Sequence, residues 1–375
     1  MKPTLLCVVG TRPEAIKVAP VVRELRRYDA VRTILVSSGQ HREILLSALA
    51  AFGLEPDIDL GIMRHGQTLA GVTSRALDGL DGLLESETPA AMVAQGDTTT
   101  TFVAALASFY RRIPFAHVEA GLRTSTIDDP FPEEFNRRAA GLVSRWHFAP
   151  TTWSRDNLLA EGKDPSTVYV TGNTGIDAVR LAAERPGEAW YPDHEGRVLL
   201  LTTHRRENWG EPQAAIARAA LRVVESFPDT LLVVAMHPNP VVRETLLPIL
   251  GNHPRVRAIE PPDYLPFVKL MARSNLILSD SGGVQEEAPA FGIPVLVLRG
   301  TTERPEGVQA GTAKLVGTDE EAIFQEATRL LSDRTAYEGM ANAVSPYGDG
   351  KAAERVRYVL LRDLGIPTPE VTMWA

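Results

Sequence analysis

Short apolar segments of strand length alternate with helix-like segments along most of this 375-residue chain. Apolar residues recur at helical spacing between these segments, and a polar stretch with proline and glycine at 185–196 separates two such series. This alternation predicts parallel sheets that are covered by helices on both faces. Because the chain is too long for one ordinary hydrophobic core, we predict two Rossmann-like α/β domains that face a central cleft.

The predicted elements set the expected domain boundaries. Strands are expected at 5–9, 33–37, 91–94, 115–118, 146–149 and 168–170, and in the second series at 198–202, 231–235, 256–258, 276–278 and 294–298. Helices are expected at 21–27, 44–52, 69–84, 100–110 and 352–364. We therefore expect an N-terminal domain at 1–171, a C-terminal domain at 172–351, and a C-terminal helix and tail at 352–375 that returns to the N-terminal domain.

Charge and cysteine content narrow the class of partner. The net charge of -8 at pH 7 argues against binding of nucleic-acid backbones as the main task. Cys7 is the single cysteine, so an internal disulfide is excluded and a reducing compartment is favoured. The sequence has no apolar run long enough for a membrane span, and its histidines lack the paired spacing of a metal site. We expect a cytoplasmic protein without nucleic-acid, membrane or metal partners.

The segment after the first predicted strand, GTRPEAIK, predicts an anion site. Gly10 permits a sharp turn, Pro13 suits the start of a helix, and Arg12 and Lys17 add positive charge to the backbone N–H groups of the helix N-terminus. The segment has neither the dinucleotide glycine pattern nor the phosphate-loop pattern. The alternative is a capped helix with two solvated cations. Pro20 is expected to stop or kink this helix early.

Two carboxylates follow predicted strands of the first series. Asp97 comes after the strand at 91–94, where it is a candidate for catalysis or, alternatively, an N-cap residue. Glu119 ends the next strand and is followed by Ala120 and Gly121. Enzymes with parallel sheets place catalytic groups at such strand ends.

A third candidate carboxylate opens a predicted helix. Glu133 and Glu134 follow Pro132 and lie in the first turn, where negative charge suits the helix dipole. The alternative is an exposed helix with the ion pairs Glu133–Arg137 and Glu134–Arg138 at i,i+4 spacing.

The second series carries cations and a glycine pair at its strand ends. His204 is flanked by Arg205 and Arg206, and burial of these groups together would need an anionic partner such as a phosphate. His237 follows the next strand, where a lone histidine is more often structural. A second anion cradle is predicted where Ser281 caps a helix start, with further polar residues near it: Gly282, Gly283, Glu287 and Arg304. Glu287 is placed to accept hydrogen bonds from ribose hydroxyls, so this series predicts a nucleotide-diphosphate site.

As a set, these motifs make the chain resemble the non-hydrolysing UDP-N-acetylglucosamine 2-epimerases. The resemblance runs from about residue 4 to residue 360 and rests on these segments: GTRPEAIK, GDTTTT, HVEAGLRT, PEEFNR, TGNT, HRREN, SDSGGVQEEAP, TTERPE and PYGDG. It implies a two-domain fold of the glycosyltransferase B type, a homodimer, and no nicotinamide or metal cofactor. It also implies interconversion of UDP-N-acetylglucosamine and UDP-N-acetylmannosamine by anti elimination of UDP, through a 2-acetamidoglucal, and re-addition.

The resemblance assigns roles residue by residue. Asp97, Glu119 and Glu133 match the catalytic carboxylates, and His204 matches a histidine near the diphosphate. The residues that match nucleotide-sugar contacts are Arg12, Lys17, Ser281, Gly282, Gly283, Glu287 and Arg304, with Phe267 at the uracil. Pro262 replaces a glutamine that some members carry near the uracil.

A regulatory second-substrate site is also implied for some members. The residues that match it are Gln40, Arg205 and His237, whereas Gly66 stands where regulated members carry an arginine. Three other functions stay open: a hydrolysing epimerase that releases UDP and N-acetylmannosamine, a UDP-sugar glycosyltransferase of the same fold, and a non-catalytic nucleotide-sugar sensor.

Overall fold

The computed structural model describes residues 2–39, 42–64, 66–302 and 304–374. The chain divides into two compact units: the first runs to Leu181 and resumes at Tyr347, and the second is Ala182–Pro346. The boundaries expected after residues 171 and 351 thus lie near the limits of these units but not at them. The first unit extends further because α-helical residues after 173 pack within it, as described below.

The elements of the described residues alternate along most of the chain. The strands are β1 (Thr4–Val9), β2 (Arg32–Ser37), β3 (Ile58–Asp59), β4 (Ala91–Gln95), β5 (Phe115–Val118), β6 (Ser144–Ala149), β7 (Val168–Val170), β8 (Arg197–Thr202), β9 (Thr230–Ala235), β10 (Val256–Ile259), β11 (Leu276–Ser279), β12 (Val295–Val297) and β13 (Ala313–Leu315). The helices are α1 (Arg12–Arg26), α2 (Arg42–Ala50), α3 (Leu69–Glu87), α4 (Thr99–Tyr110), α5 (Glu133–Val143), α6 (Thr152–Ala160), α7 (Thr174–Glu184), α8 (Glu211–Ser226), α9 (Pro240–Leu250), α10 (Tyr264–Arg273), α11 (Gly282–Glu287), α12 (Pro305–Gln309), α13 (Glu320–Ser332), α14 (Arg334–Ala341) and α15 (Ala352–Asp363). Short 3-10 turns lie at Pro165–Thr167, Arg206–Asn208 and Ala288–Phe291.

Each unit contains one parallel sheet, which confirms the prediction of two Rossmann-like α/β domains. The first sheet has the strand order β3-β2-β1-β4-β5-β6-β7, and the second has the order β10-β9-β8-β11-β12-β13. In both sheets the order reverses beside the first strand of the unit: β1 lies between β2 and β4, and β8 lies between β9 and β11. Parallel α/β sheets bind ligands at this switch point, beyond the C-terminal ends of the strands.

Burial explains why these segments are strands. The residues of β1 from Leu5 to Val9 have no solvent exposure, and neither have Leu200 and Leu201 of β8. Strands that are covered on both faces read as continuous apolar runs, which is why sequence analysis found them. The two strands that it missed, β3 and β13, are short strands at the edges of their sheets and lack such a run.

The expectation that Pro20 stops helix α1 early is wrong. The helix continues past Pro20 to Arg26. Apolar residues around the proline are fully buried: Val18, Val21, Val22 and Leu25. Each such burial stabilises the fold by about 1.5–3 kcal/mol, which together exceeds the cost of about 3 kcal/mol for one interior proline.

Helix α15 belongs to the first unit, where it packs against α1. The buried carboxylate of Asp177, on α7, accepts hydrogen bonds from the backbone N–H groups of Ala352 (3.1 Å) and Ala353 (2.9 Å) at the start of α15. Burial, which outweighs these hydrogen bonds, raises the pKa of Asp177 to about 7. These bonds hold α7 and α15 together and explain why the first unit extends beyond residue 171.

No helix in the described ranges is long and apolar enough to cross a membrane.

Candidate functional site

The loops that follow β1 and β4 meet at the switch point of the first sheet, and the buried carboxylate of Glu14 joins them. One of its oxygens accepts from the backbone N–H groups of Gly10 (3.0 Å) and Thr11 (2.7 Å). The other accepts from the hydroxyls of Thr98 (2.6 Å) and Thr101 (3.1 Å). Burial is the main cause of a raised pKa of Glu14, and these hydrogen bonds oppose it.

The contacts of Glu14 limit the donors of the predicted anion cradle. The backbone N–H groups of Gly10 and Thr11, which precede the first residue of α1, already donate to this carboxylate. Gly10 is required by close packing, because an added Cβ would lie 2.1 Å from the Thr100 hydroxyl. The cations that remain at this helix start are Arg12, which is half-buried, and Lys17.

Lys17 and Gln95 both bind the carboxylate of Glu119. The Lys17 ammonium and the Gln95 amide each donate to a different oxygen of this group. The Glu119 side chain is 8% exposed, so its charge is nearly buried and needs such partners. Glu119 also has a φ of 62°, a left-handed conformation that is strained for a residue with a Cβ and is found at functional sites.

Asp97 is held by helix α5. Arg137 donates to its carboxylate, and the amide of Asn136 donates to its backbone carbonyl at 2.9 Å. The alternative that Asp97 is an N-cap residue is wrong, because Thr98 occupies this position and its hydroxyl accepts from the Thr101 N–H. Asp97 therefore faces a cation rather than a helix terminus.

Glu133 is the first residue of α5 and is half-buried. The expected Glu133–Arg137 ion pair does not form among the described residues, because Arg137 binds Asp97 and Glu134 instead. The Glu134–Arg138 pair does form, at 2.6 Å, but Glu134 is fully buried rather than on an exposed helix face. The two adjacent glutamates thus have different environments. Glu134 is buried and paired with arginines, whereas Glu133 is partly exposed to solvent.

The loop from Gln95 to Asp97 lies at the C-terminal end of the first sheet and links the carboxylate of Glu119 to helix α5. Gln95 contacts Glu119 at the end of the neighbouring strand, and Asp97 contacts helix α5, which begins with Glu133. The buried His117 side chain stabilises this loop by a hydrogen bond between its Nε2 and the Gly96 carbonyl oxygen, at 2.7 Å. Burial lowers the pKa of His117 to about 3, so this ring is neutral.

In the second unit, Asp280 organises the loop after β8. It follows β11, has no solvent exposure, and accepts from the backbone N–H groups of His204 (3.0 Å) and Arg205 (3.1 Å) and the Thr203 hydroxyl (2.9 Å). His204 Nδ1 lies 3.1 Å from this carboxylate. Burial opposes the charge of Asp280, but these hydrogen bonds, with that of His204 the largest, lower its pKa overall.

His204 is not buried together with both neighbouring arginines, in agreement with the cost expected for such burial. The His204 side chain is 40% exposed, and Arg206 is exposed beside the Trp209 ring. The anionic partner that His204 requires is Asp280 of the same unit. With Nδ1 directed to Asp280, Nε2 is the ring atom left to face a ligand.

His237 stacks on His204, with ring centroids 5.7 Å apart. Burial and the nearby His204 lower the pKa of His237. Its Nδ1 accepts from the Asn239 N–H at 3.2 Å. The structure therefore brings these two predicted site residues together, and the Arg205 backbone binds the same Asp280 carboxylate as His204.

The glycine pair begins α11, but the Ser281 hydroxyl does not cap this helix as expected. An added Cβ on Gly282 would lie 3.1 Å from Cζ of Arg304, so glycine permits the guanidinium to approach the backbone. Arg304 is held there by Glu286, at 2.8 Å from Nε. Gly283 lies in the first turn and Glu287 is the last residue of the helix.

The remaining predicted residues are spread over both units. Phe267 is half-buried on α10, and Pro262 is half-buried in the loop before it. Gly66 is exposed in the first unit. Gln40 lies outside the described residues.

Sequence analysis missed the supporting partners: Glu14, Gln95, Arg137 and Asp280. For Glu14 a signal exists, because Thr11 and Glu14 have the T-x-x-E spacing of a capping box. For Arg137 and Asp280 no local pattern indicates the partner. Within the described ranges, no three His, Cys, Asp or Glu side chains are grouped as a metal ion would require.

Comparison with known proteins identifies the family. Residues 23–361 match the family model described as UDP-N-acetylglucosamine 2-epimerase. The chain is 49% identical over 363 residues to the UDP-N-acetylglucosamine 2-epimerase of Bacillus subtilis (strain 168), with 96% of each chain covered.

Solved structures agree. The crystal structure of UDP-GlcNAc 2-epimerase from Neisseria meningitidis bound to UDP-GlcNAc is 44% identical, with a TM-score of 0.85 over 96% of this chain and 100% of that one. The Methanocaldococcus jannaschii enzyme in complex with UDP-GlcNAc and UDP is 31% identical, with a TM-score of 0.75 over 96% of this chain and 99% of that one. The chain belongs to the UDP-N-acetylglucosamine 2-epimerase family.

Proposed function

We propose that this protein is a non-hydrolysing epimerase that interconverts UDP-N-acetylglucosamine and UDP-N-acetylmannosamine. The observation that carries the proposal is the set of carboxylates that follow β4 and β5 of the first sheet or begin α5, each with its own environment. A nucleotide-sugar sensor would need cations and glycines but not these carboxylates. Family membership and the ligands named for the related structures support the same substrate.

The reaction begins with removal of the C2 proton of the sugar. As the C2–H bond breaks, its electrons form the C1–C2 double bond and the C1–O bond breaks toward UDP, which leaves 2-acetamidoglucal. UDP then adds back at C1 while a proton is delivered to the opposite face of C2. The C2 proton is barely acidic, so a positioned base and stabilisation of the leaving diphosphate are both required.

The first unit would provide the acid and base groups. Glu119 is oriented by Lys17 and Gln95, and Asp97 is oriented by Arg137. Both carboxylates are thus held in fixed directions, as proton transfer at a carbon requires. Glu133, which has no ion pair in the described part of the chain, is the third group proposed to transfer a proton.

The second unit would bind and stabilise UDP. His204 Nε2 would donate to the departing diphosphate, with Nδ1 held by Asp280. Arg304, beside the Gly282 backbone, would add positive charge, and Phe267 would contact the uracil. Arg12 of the first unit is proposed as a further contact to the nucleotide sugar.

Product analysis tests this proposal against its two enzymatic alternatives. Purified protein is incubated with UDP-N-acetylglucosamine alone, and nucleotide sugars and free sugars are separated by chromatography. The proposal expects a mixture of the two UDP-sugars with no accumulation of free N-acetylmannosamine. Free sugar and UDP in equal amounts would support a hydrolysing epimerase, and no reaction without an added sugar acceptor would support a glycosyltransferase.

The resemblance also favours a cytoplasmic homodimer without cofactors, which we propose for this chain. Sedimentation of the purified protein tests the dimer directly.

A further inference from the structure

We infer that Glu134 is a positioning residue that acts on Asp97 through Arg137. This inference rests on the proposed function, because it assigns Glu134 a part in the same proton-transfer step. The starting observation is that Glu134 is fully buried, whereas its spacing from Arg138 is that of a pair on an exposed helix.

Glu134 accepts donors on both carboxylate oxygens. One oxygen accepts from Arg138 Nε at 2.6 Å. The other accepts from the Thr124 N–H at 3.1 Å and from Arg137 Nη1 at 3.2 Å. These contacts fix one nitrogen of the Arg137 guanidinium.

The second terminal nitrogen of Arg137 donates to Asp97. One planar guanidinium therefore bridges two carboxylates: Nη1 donates to Glu134 and Nη2 donates to Asp97. The Arg137 side chain is 11% exposed, so water competes little for these bonds. Because the guanidinium fork is rigid, fixing Nη1 also fixes the direction from which Nη2 meets Asp97.

Helix α5 holds the backbone of Asp97 as well, through the Asn136 amide and the Asp97 carbonyl. Loss of Glu134 would leave this backbone contact intact but would release Arg137. The Asp97 carboxylate would then lose its fixed direction while staying in place. Small losses of alignment at a reacting group reduce turnover more than they reduce binding.

The competing explanation is that Glu134 only stabilises the fold, by joining Thr124 and Arg138 to the start of α5. The two explanations differ in how the effect of Glu134 depends on Arg137. A positioning role requires Arg137, and a purely structural role does not.

A double-mutant cycle separates them. Glu134→Gln is made in the wild-type protein and in an Arg137→Met background, and kcat and KM for epimerisation are measured at high enzyme concentration. We expect Glu134→Gln to lower kcat by about tenfold to 10²-fold in the wild-type background, with KM nearly unchanged. In the Arg137→Met background Glu134→Gln is expected to lower kcat by less than about a further twofold. The guanidinium through which Glu134 acts on Asp97 is already absent there. Equal losses in both backgrounds would overturn the inference.

Arg138→Gln is the matched control. It removes the other cation from the same buried carboxylate and leaves the Arg137–Asp97 contact in place. We expect a lower melting temperature but a kcat within about twofold of wild type. A loss of kcat as large as that of Glu134→Gln would favour the structural explanation and count against the inference.

If Glu134→Gln does not fold, Arg137→Lys provides the test. A lysine ammonium keeps the charge but does not reproduce the two-sided fork, so kcat is expected to fall while UDP affinity stays nearly constant. An unchanged kcat would overturn the inference.

The proposed function is judged separately on the wild-type protein. Failure of the wild type to epimerise refutes that function, whereas an active wild type with fully active Glu134→Gln refutes only the role of Glu134.

Discussion

The ammonium of Lys17 binds the carboxylate of Glu119, although 102 residues separate them in the sequence. Lys17 lies in the second turn of α1, and Glu119 follows β5 with a left-handed backbone conformation. The family resemblance assigns Lys17 to the nucleotide sugar and Glu119 to catalysis. Their contact links the two proposed roles, because the cation proposed to contact the nucleotide sugar also orients the proposed catalytic carboxylate.

We predict that Lys17→Met lowers kcat by about tenfold or more, because it removes a cation that orients a nearly buried carboxylate. Steady-state kinetics and calorimetric titration with UDP measure the two effects separately. Lys351→Met, at an exposed lysine, is the control and is expected to be unchanged. Weaker UDP binding with an unchanged kcat would mean that Lys17 serves the nucleotide rather than Glu119.

The second prediction concerns substitution of the three carboxylates proposed to transfer protons. Asp97→Asn, Glu119→Gln and Glu133→Gln are each expected to lower kcat by roughly 10²-fold or more, the scale of general acid-base catalysis, while UDP affinity stays nearly constant. Glu133 is the most informative position, because its ion pair with Arg137 is absent in the described structure. A Glu133→Gln variant with most of its activity would show that this residue belongs to the helix surface only.

Asp177 gives a prediction for stability against pH. Its pKa is raised to about 7 in the folded protein, so its contribution to stability is fully present below the unfolded pKa near 3.8 and is lost as the pH rises through about 7. The slope from this one group is at most about 1.4 kcal/mol per pH unit. Melting temperatures between pH 4 and pH 8 measure it.

Asp177→Asn is expected to flatten this pH dependence, since asparagine keeps an acceptor oxygen for the α15 backbone and does not titrate. The matched control is Asp156→Asn, an exposed aspartate of the same unit. If wild type and Asp177→Asn lose stability in parallel as the pH rises, Asp177 does not titrate in this range.

Regulation by a second substrate molecule is expected to be weak or absent. Gly66 stands where the resemblance places an arginine in regulated members, and a lost charged contact costs about 1.5–3 kcal/mol, or roughly tenfold to over a hundredfold in affinity. The φ of Gly66 is 65°, so an arginine at this position would also strain the backbone. Kinetics of the reverse reaction from UDP-N-acetylmannosamine test this prediction. A strict requirement for traces of UDP-N-acetylglucosamine would show that regulation persists without the arginine.

Much of the fold was predictable from the sequence because buried parallel strands are continuous apolar runs. The same reasoning placed Asp97, Glu119 and His204 at strand ends, and the structure has them after β4, β5 and β8. Edge strands β3 and β13 are short and lack a continuous apolar run, whereas the equally short edge strand β7 reads VYV and was predicted. Pro20 shows that tertiary packing can outweigh a local helix breaker.

The partners of the site residues were not predictable in the same way. Arg137 lies 40 residues from Asp97, and Asp280 lies 76 residues from His204. Such pairs depend on which strands become neighbours in the sheet, and a single sequence does not specify that order. For this reason the helix spacing favoured Glu133–Arg137, whereas the folded chain pairs Arg137 with Asp97.

The elimination mechanism is tested most directly by running the epimerisation of UDP-N-acetylglucosamine in deuterium oxide and following C2 by proton NMR. Removal and return of the C2 proton by protein carboxylates that exchange with solvent predicts deuterium at C2 of the UDP-N-acetylmannosamine formed. Epimerised product that keeps its original hydrogen at C2 would contradict the account.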